Sequence, residues 1–334
     1  MENYTLALRQ AWSRCSSLPN VVGVGIGYKE KGRERTDKLA VVIFVSKKVP
    51  ARDLATVEVV PRAIGEVETD VVEIGEVRLL GSRTTRQRPA PPGVSIGHYK
   101  ITAGTLGAVV KDAHTGAPLI LSNNHILANS SNGRDGRSKI GDPIYQPGPY
   151  DGGTSDDTIA HLERFTPVIT EYQESTCPIS QRLARTENLF VHLVRPNYDV
   201  RFHKRNSDGN LVDCAVARPL SDRLVTPEIM EVGPVRSVAE AKLGETLVKS
   251  GRTSGLTRGA VTALAATLRI QMHSGVYALF TDQIVANLNS QGGDSGSLVL
   301  NERKEAVGLL FAGSDRSTIL NRIQNVMHEL AVTF

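Results

Sequence analysis

Hydrophobic and polar positions change rhythm along this chain. From Tyr4 to Leu18, the apolar residues Leu6, Leu8, Ala11, Trp12 and Cys15 fall at helical spacings and then meet Pro19, which predicts an N-terminal helix. Val21 to Tyr28 and Leu39 to Val45 read as strands joined by a charged loop around Gly32. Pro50 to Leu54 predicts a short helix, and Thr69 to Ile74 another strand. Residues 1–80 therefore read as a small α/β N-terminal domain. Its Gly23-Val24-Gly25-Ile26-Gly27 resembles a phosphate loop only superficially. No helix comes after it, so a glycine-alternating strand is the better reading.

Residues 81–93 carry three arginines and three prolines and read as an extended, solvated linker. Beyond them, in residues 94–334, short strands alternate with Gly, Pro, Asn and Asp. The first group is Gly104 to Lys111, Ala117 to Ser122, Pro143 to Gln146, Thr158 to Phe165 and Leu211 to Ala217. The second is Glu245 to Lys249, Ala260 to Ile270, Val276 to Ala286, Ser297 to Asn301 and Ala306 to Gly313. Many short strands with turn signals predict a mainly β sandwich or barrel. Pro178 to Val194 predicts an inserted helix, and Thr318 to Leu330 an amphipathic terminal helix.

Composition narrows the class. At 334 residues, with 40% hydrophobic and 22% charged, the chain has enough apolar material for a sizeable core. A net charge of +4 from 39 basic and 35 acidic residues is near balance and gives no footprint for nucleic acid. Cys15, Cys177 and Cys214 cannot all pair and show no metal-type spacing, and the histidines add none, so no metal or cofactor is expected. The early acid Glu2 and the lack of a long apolar core argue against a secretory signal. No apolar run is long enough for a bilayer, so a cytoplasmic protein without a membrane partner is expected.

The chemistry centres on Gly292-Gly293-Asp294-Ser295-Gly296-Ser297, with the apolar run Leu298-Val299-Leu300 directly after it. Glycines let such a turn fold tightly enough to aim amide N–H groups inward. The N–H groups of Gly293 and Ser295 can then hold the oxyanion formed when Ser295 Oγ attacks a carbonyl. A hydroxyl nucleophile needs a base and an orienting group. His125 stands where the strand Pro118-Leu119-Ile120-Leu121-Ser122 ends. Asp213 is the one acid in the apolar run Leu211 to Ala217, and a carboxylate there needs a partner. Asp156 and Asp157 are rivals for the third position, but they sit in a Gly-rich turn where acids are common.

The order His125, Asp213, Ser295 resembles the chymotrypsin-like (trypsin-like) serine peptidases of the bacterial type, with the plant NARROW LEAF protease type as a relative. The likeness rests on Ser-Asn-Asn-His-Ile-Leu, Val-Asp-Cys-Ala-Val-Ala and Gly-Gly-Asp-Ser-Gly-Ser, and on Lys249 to Gly259 and Val307 to Gly313. It covers roughly residues 93–334. It implies a double β-barrel, with His125 and Asp213 from the first barrel and Ser295 from the second. It also implies a substrate site with Asn289 and Ser290 near the base of the primary pocket and Phe311, Ala312 and Gly313 along its wall. In secreted relatives the acid before the serine pairs with a new N-terminal amine. No activation sequence is recognisable here, so Asp294 needs another cation or another hydrogen bond. The expected function is a serine endopeptidase acting on a protein or peptide substrate. The alternative is a latent or inactive peptide-binding scaffold. The N-terminal domain is the expected route to a homo-oligomer or a regulatory partner.

Overall fold

The computed structural model describes every residue except 1, 19, 32–33, 56–58, 76–81 and 207. The Pro19 helix stop, the loop around Gly32 and the first residue of the expected linker lie outside the described residues. The chain divides into two compact units, Met1–Gly81 and Ser82–Phe334.

In the first unit, helix α1 (Glu2–Cys15) covers a four-stranded sheet in the order Val21–Lys31, Glu34–Val45, Val67–Glu73, Ala63–Ile64. The first pair is antiparallel; Glu34–Val45 and Val67–Glu73 run parallel. The helix buries Ala7, Ala11 and Cys15, spaced i, i+4, i+8, against Val41, Ile43, Val45 and Ile64. Leu6 and Trp12, which the apolar pattern places in the same stripe, are 60% and 50% exposed. Small residues on the buried stripe let the helix lie close to the sheet. The glycine run is a strand, as its pattern predicts: a Cβ on Gly25 would meet the Phe44 ring at 3.0 Å, and one on Gly27 would meet Val42 at 3.1 Å.

In the second unit, one sheet of eight strands is open. Its order is Val332–Thr333, Ala108–Asp112, Pro118–Ser122, Ala215–Pro219, Thr158–Phe165, Pro143–Tyr145, Ser95–His98, Gly104–Thr105. The second sheet runs Ser237–Val238, Glu305–Gly313, Leu298–Asn301, Thr246–Gly251, Gly255–His273, Val276–Ala286, Thr318–Arg322. Pairing of Glu305–Gly313 with Thr318–Arg322 closes six of these strands into a ring. A shared core of Leu119, Leu121, Val216, Leu298, Leu300 and Leu309 joins the two sheets. Among the described residues this unit has three α-helices: α2 (Asn124–Leu127), α3 (Pro178–Val194) and α4 (Ile323–Leu330). The last caps the shared core with Ile323, Val326 and Leu330. Among the described residues, no helix is long and apolar enough to cross a membrane.

Three elements differ from expectation. The terminal helix begins five residues late, because Thr318–Arg322 is the ring-closing strand, paired on both edges. Ile319 and Leu320 are both buried, on opposite faces of that strand. The strand expected from Leu211 begins at Ala215. Residues 82–93 do not behave as a free tether. Arg83 donates to Gly93 O at 3.0 Å and Ser250 Oγ at 2.8 Å and pairs with Glu231. Ala90 is fully buried and exchanges backbone bonds with Leu224 and Thr226. Their arginines find acceptors within the unit, which composition alone does not reveal.

Candidate active site

His125 lies on α2, the single helical turn that follows strand Pro118–Ser122. Asp213 sits two residues ahead of strand Ala215–Pro219, which pairs in the open sheet with the strand that leads into α2. Asp213 is fully buried, and two asparagines fix its backbone. Its N–H donates to Asn321 Oδ1 at 2.9 Å, and its carbonyl accepts from Asn123 Nδ2 at 2.7 Å. With side chains satisfying its backbone, the carboxylate is free to face α2. Oδ1 accepts the His125 backbone N–H at 3.1 Å, and Oδ2 meets His125 Nδ1 at 2.6 Å. A carboxylate accepts, so Nδ1 carries a proton, and in the neutral ring Nε2 is then the acceptor. Nε2 has no protein partner among the described residues, and His125 lines a cavity of about 940 Å³ together with Tyr150, Arg269, Phe311 and Ala312.

Asp157, the rival acid, is used elsewhere. It accepts the Thr154 N–H at 3.0 Å and the Thr154 hydroxyl at 3.2 Å, closing a capping box on a short 3₁₀ turn.

Ser295 stands on the turn that leads into the ring strand Leu298–Asn301. Gly293 and Gly296 have φ of 98° and 93°, the left-handed region that favours glycine. A Cβ on Gly293 would lie 2.5 Å from Arg252 Nη1 and Thr253 Oγ1, and one on Gly296 would strike Thr105 O and Ser122 Oγ. The N–H groups of Gly293 and Ser295 donate to no protein acceptor among the described residues, so both remain available to an incoming oxygen. Ser295 Oγ donates to Phe311 O at 3.4 Å, and no hydrogen bond joins it to His125.

Asp294, between these two amides, is fully buried. It pairs with Lys249 Nζ at 3.1 Å, both side chains being 0% exposed. It also accepts the N–H groups of Gln291, Thr253 and Ser254 at 2.9–3.0 Å and the Ser254 hydroxyl. Burial works to raise its pKa, but the Lys249 charge and these donors outweigh it and hold the carboxyl below its ordinary value. Burial also pulls the Lys249 ammonium below its usual range, against the attraction of Asp294. Lys249 thus supplies the cation that Asp294 needs without a cleaved N-terminus. The sequence signal was a lysine in a strand-like run, an expensive position without a partner.

The second unit is mainly β, an open sheet and a ring-closed sheet on a shared core with a C-terminal helix. A family model described as Peptidase S7, flavivirus NS3 serine protease, matches residues 271–322. Protein NARROW LEAF 1 of Oryza sativa subsp. japonica is 25% identical over 325 residues, 88% of this chain and 51% of its own length. The chain thus spans about half the length of the curated relative it matches. Thermobifida fusca protease A is similar at 14% identity and a TM-score of 0.45, over 72% of this chain and 96% of that one. Nocardiopsis protease is similar at 14% identity and a TM-score of 0.45, over 73% and 98%.

Of the expected pocket residues, Ser290, Ala312 and Gly313 line a cavity of about 420 Å³ that reaches Ser295. Phe311 lines the neighbouring His125 cavity. Asn289 does not line this pocket; it is exposed, and its carbonyl accepts the Thr257 hydroxyl at 2.8 Å. Thr318 anchors the pocket side of Ser290 through a 2.6 Å hydroxyl contact. Asp315, the one charged group lining this cavity among the described residues, comes from a polar turn that carried no sequence signal. His98 is buried and pairs with Asp142 at 3.0 Å, and burial lowers its pKa. His161 meets Gly141 O at 2.9 Å and His192 meets Asp199 at 3.0 Å, partners that sequence had not suggested. Among the described residues, no group of three His, Cys, Asp or Glu is placed to hold a metal ion.

Proposed function

We propose that the chain is a serine endopeptidase working through an acyl-enzyme. The observation that carries this reading is the 2.6 Å contact between His125 Nδ1 and the buried Asp213 carboxylate. It orients the imidazole of a histidine that lines the cavity beside the serine turn. In the proposed reaction Ser295 Oγ leaves Phe311 O, gives its proton to His125 Nε2 and attacks the substrate carbonyl carbon. The negative oxygen enters the space before the Gly293 and Ser295 N–H groups. His125 then protonates the leaving amine, and the amine departs to leave the acyl-enzyme. A water molecule, deprotonated by the same nitrogen, hydrolyses the ester and returns the proton to Ser295. The Phe311 carbonyl, released by the serine, is free to accept a substrate backbone N–H. Asp315 favours a basic side chain in the adjoining pocket. This chemistry calls for no metal or organic cofactor.

One observation favours a second reading, a latent peptide-binding scaffold: Ser295 Oγ is bonded to Phe311 O and not to His125. A fluorophosphonate probe separates the two. The peptidase reading expects covalent labelling of the full chain that is lost in Ser295→Ala and His125→Ala, with hydrolysis falling about 10⁶-fold in each. Absence of labelling in the wild-type chain would favour the scaffold.

A further inference from the structure

Helix α3 is inserted between the open-sheet strands Thr158–Phe165 and Ala215–Pro219, and it is oriented against the usual rule. A helix on a monomer turns its apolar stripe inward. Here the better covered positions are Ser180, Ala184, Asn188 and Val191, mostly small or polar. Asn188 exchanges both amide bonds with the Val200 backbone at 3.0 and 2.6 Å, and Ser180 meets Ser175 at 2.7 Å. The outward face carries Ile179, Leu183, Leu189, Phe190, Leu193 and Val194, exposed by 47–78%.

These residues have a specific spacing. Ile179, Leu183, Thr186, Phe190 and Leu193 step by +4, +3, +4 and +3, the a/d seam of a coiled coil. Thr186 does not break the seam, because its hydroxyl already donates to Arg182 O at 3.1 Å. The flanking positions choose the partner. In a parallel pair of identical helices, each g position faces the e position five residues later on the other copy. That rule sets Arg182 against Glu187 and Leu189 against Val194: one pair is ionic and the other apolar. In an antiparallel pair g faces g, and Arg182 would meet a leucine. Two heptads alone are too short to hold a helix in water. The Asn188 and Ser180 bonds already hold this one against its own chain.

We propose that α3 is a homodimerisation helix, pairing in parallel with α3 of a second copy of this chain. The seam would cover all six exposed apolar side chains and form two symmetric Arg182–Glu187 pairs. The inference is independent of the peptidase reading.

The test is light scattering and sedimentation on the full chain. Wild type should have twice the 36.1 kDa mass of the chain. Leu183→Glu with Phe190→Glu should be monomeric with an unchanged far-ultraviolet circular dichroism spectrum, since both side chains are exposed and neither belongs to a core cluster. Arg182→Glu and Glu187→Arg should each weaken dimerisation about tenfold, and the two together should restore it. Leu193→Cys in a Cys177→Ser background should form an intermolecular disulfide, because only a parallel pair brings Leu193 onto its own copy. A monomeric wild type would overturn the proposal. So would a dimer that survives the Leu183/Phe190 double change. A monomer that binds vesicles of phosphatidylcholine and phosphatidylserine would assign the face to a membrane instead.

Discussion

Replacing Lys249 by Met tests what holds the serine turn. Met matches the lysine stem in length, so packing changes little, while the charge paired with buried Asp294 disappears. Removing one partner of a buried pair costs about 3–5 kcal/mol. Asp294 keeps three backbone N–H donors and the Ser254 hydroxyl, which places the expected loss toward the lower end. For a unit of this size that is a fall in melting temperature of roughly 6–12 °C. Asp294 lies between the Gly293 and Ser295 amides, so a relaxed turn should also lose about 10²–10³ in probe labelling rate. The pH dependence has a defined sign. The Asp294 carboxyl is held below its ordinary value, so its stabilisation is complete above about pH 4 and disappears as pH falls through the lowered value. Without Lys249 that value moves back toward the ordinary one, so the part of the stability that is lost in acid should shrink. Lys249→Met with Asp294→Asn should recover part of the stability, since Asn still accepts from Thr253 and Ser254. Thermal melts from pH 3 to 8 with labelling rates on the same samples measure all of this. A Lys249→Met chain that melts within 2 °C of wild type and labels at the wild-type rate would refute the reasoning.

Asp213→Asn should leave the fold intact and cut hydrolysis by about 10⁴, while Asp157→Asn stays active and loses only a cap; peptide hydrolysis by the two variants decides between the acids. Asp315→Asn should raise KM for substrates cleaved after Lys or Arg with little change in kcat, read from steady-state kinetics on matched basic and neutral peptides. A fragment of residues 82–334 should fold and label at Ser295, whereas one beginning at Pro91 should melt lower because it lacks Arg83 and its bonds to Gly93 and Ser250. The backbone N–H of Thr115 and the Arg164 guanidinium hold the Asp112 carboxyl far below its ordinary value, and Arg164 in turn binds the Leu330 carbonyl. The stability of that C-terminal tie should be full at neutral pH and lost only in strong acid, and Asp112→Asn should abolish this acid dependence in melting curves.

Local patterns were legible in the sequence because they depend on neighbours along the chain. The glycine-rich serine turn, the histidine at a strand end, the small α/β unit and most of the short strands are set by spacing and turn chemistry within a few residues. Even the glycine-alternating strand could be told from a phosphate loop, because no helix comes directly after it. The rest required partners distant in sequence. Periodicity read Thr318 to Leu330 as one helix, but ring closure takes Thr318–Arg322 as a strand, because pairing on both edges outweighs a weak helical preference. The meeting of Asp213 with His125, 88 residues away, depends on Asn123 and Asn321 holding its backbone. That Lys249 answers Asp294, 45 residues away, comes from burying both in one place. The arginines of residues 82–93 read as solvated until acceptors appear around them. A buried charge announces that it needs a partner, but only the tertiary structure decides which one, because pairing energy depends on distance in space and desolvation, neither of which is written along the chain.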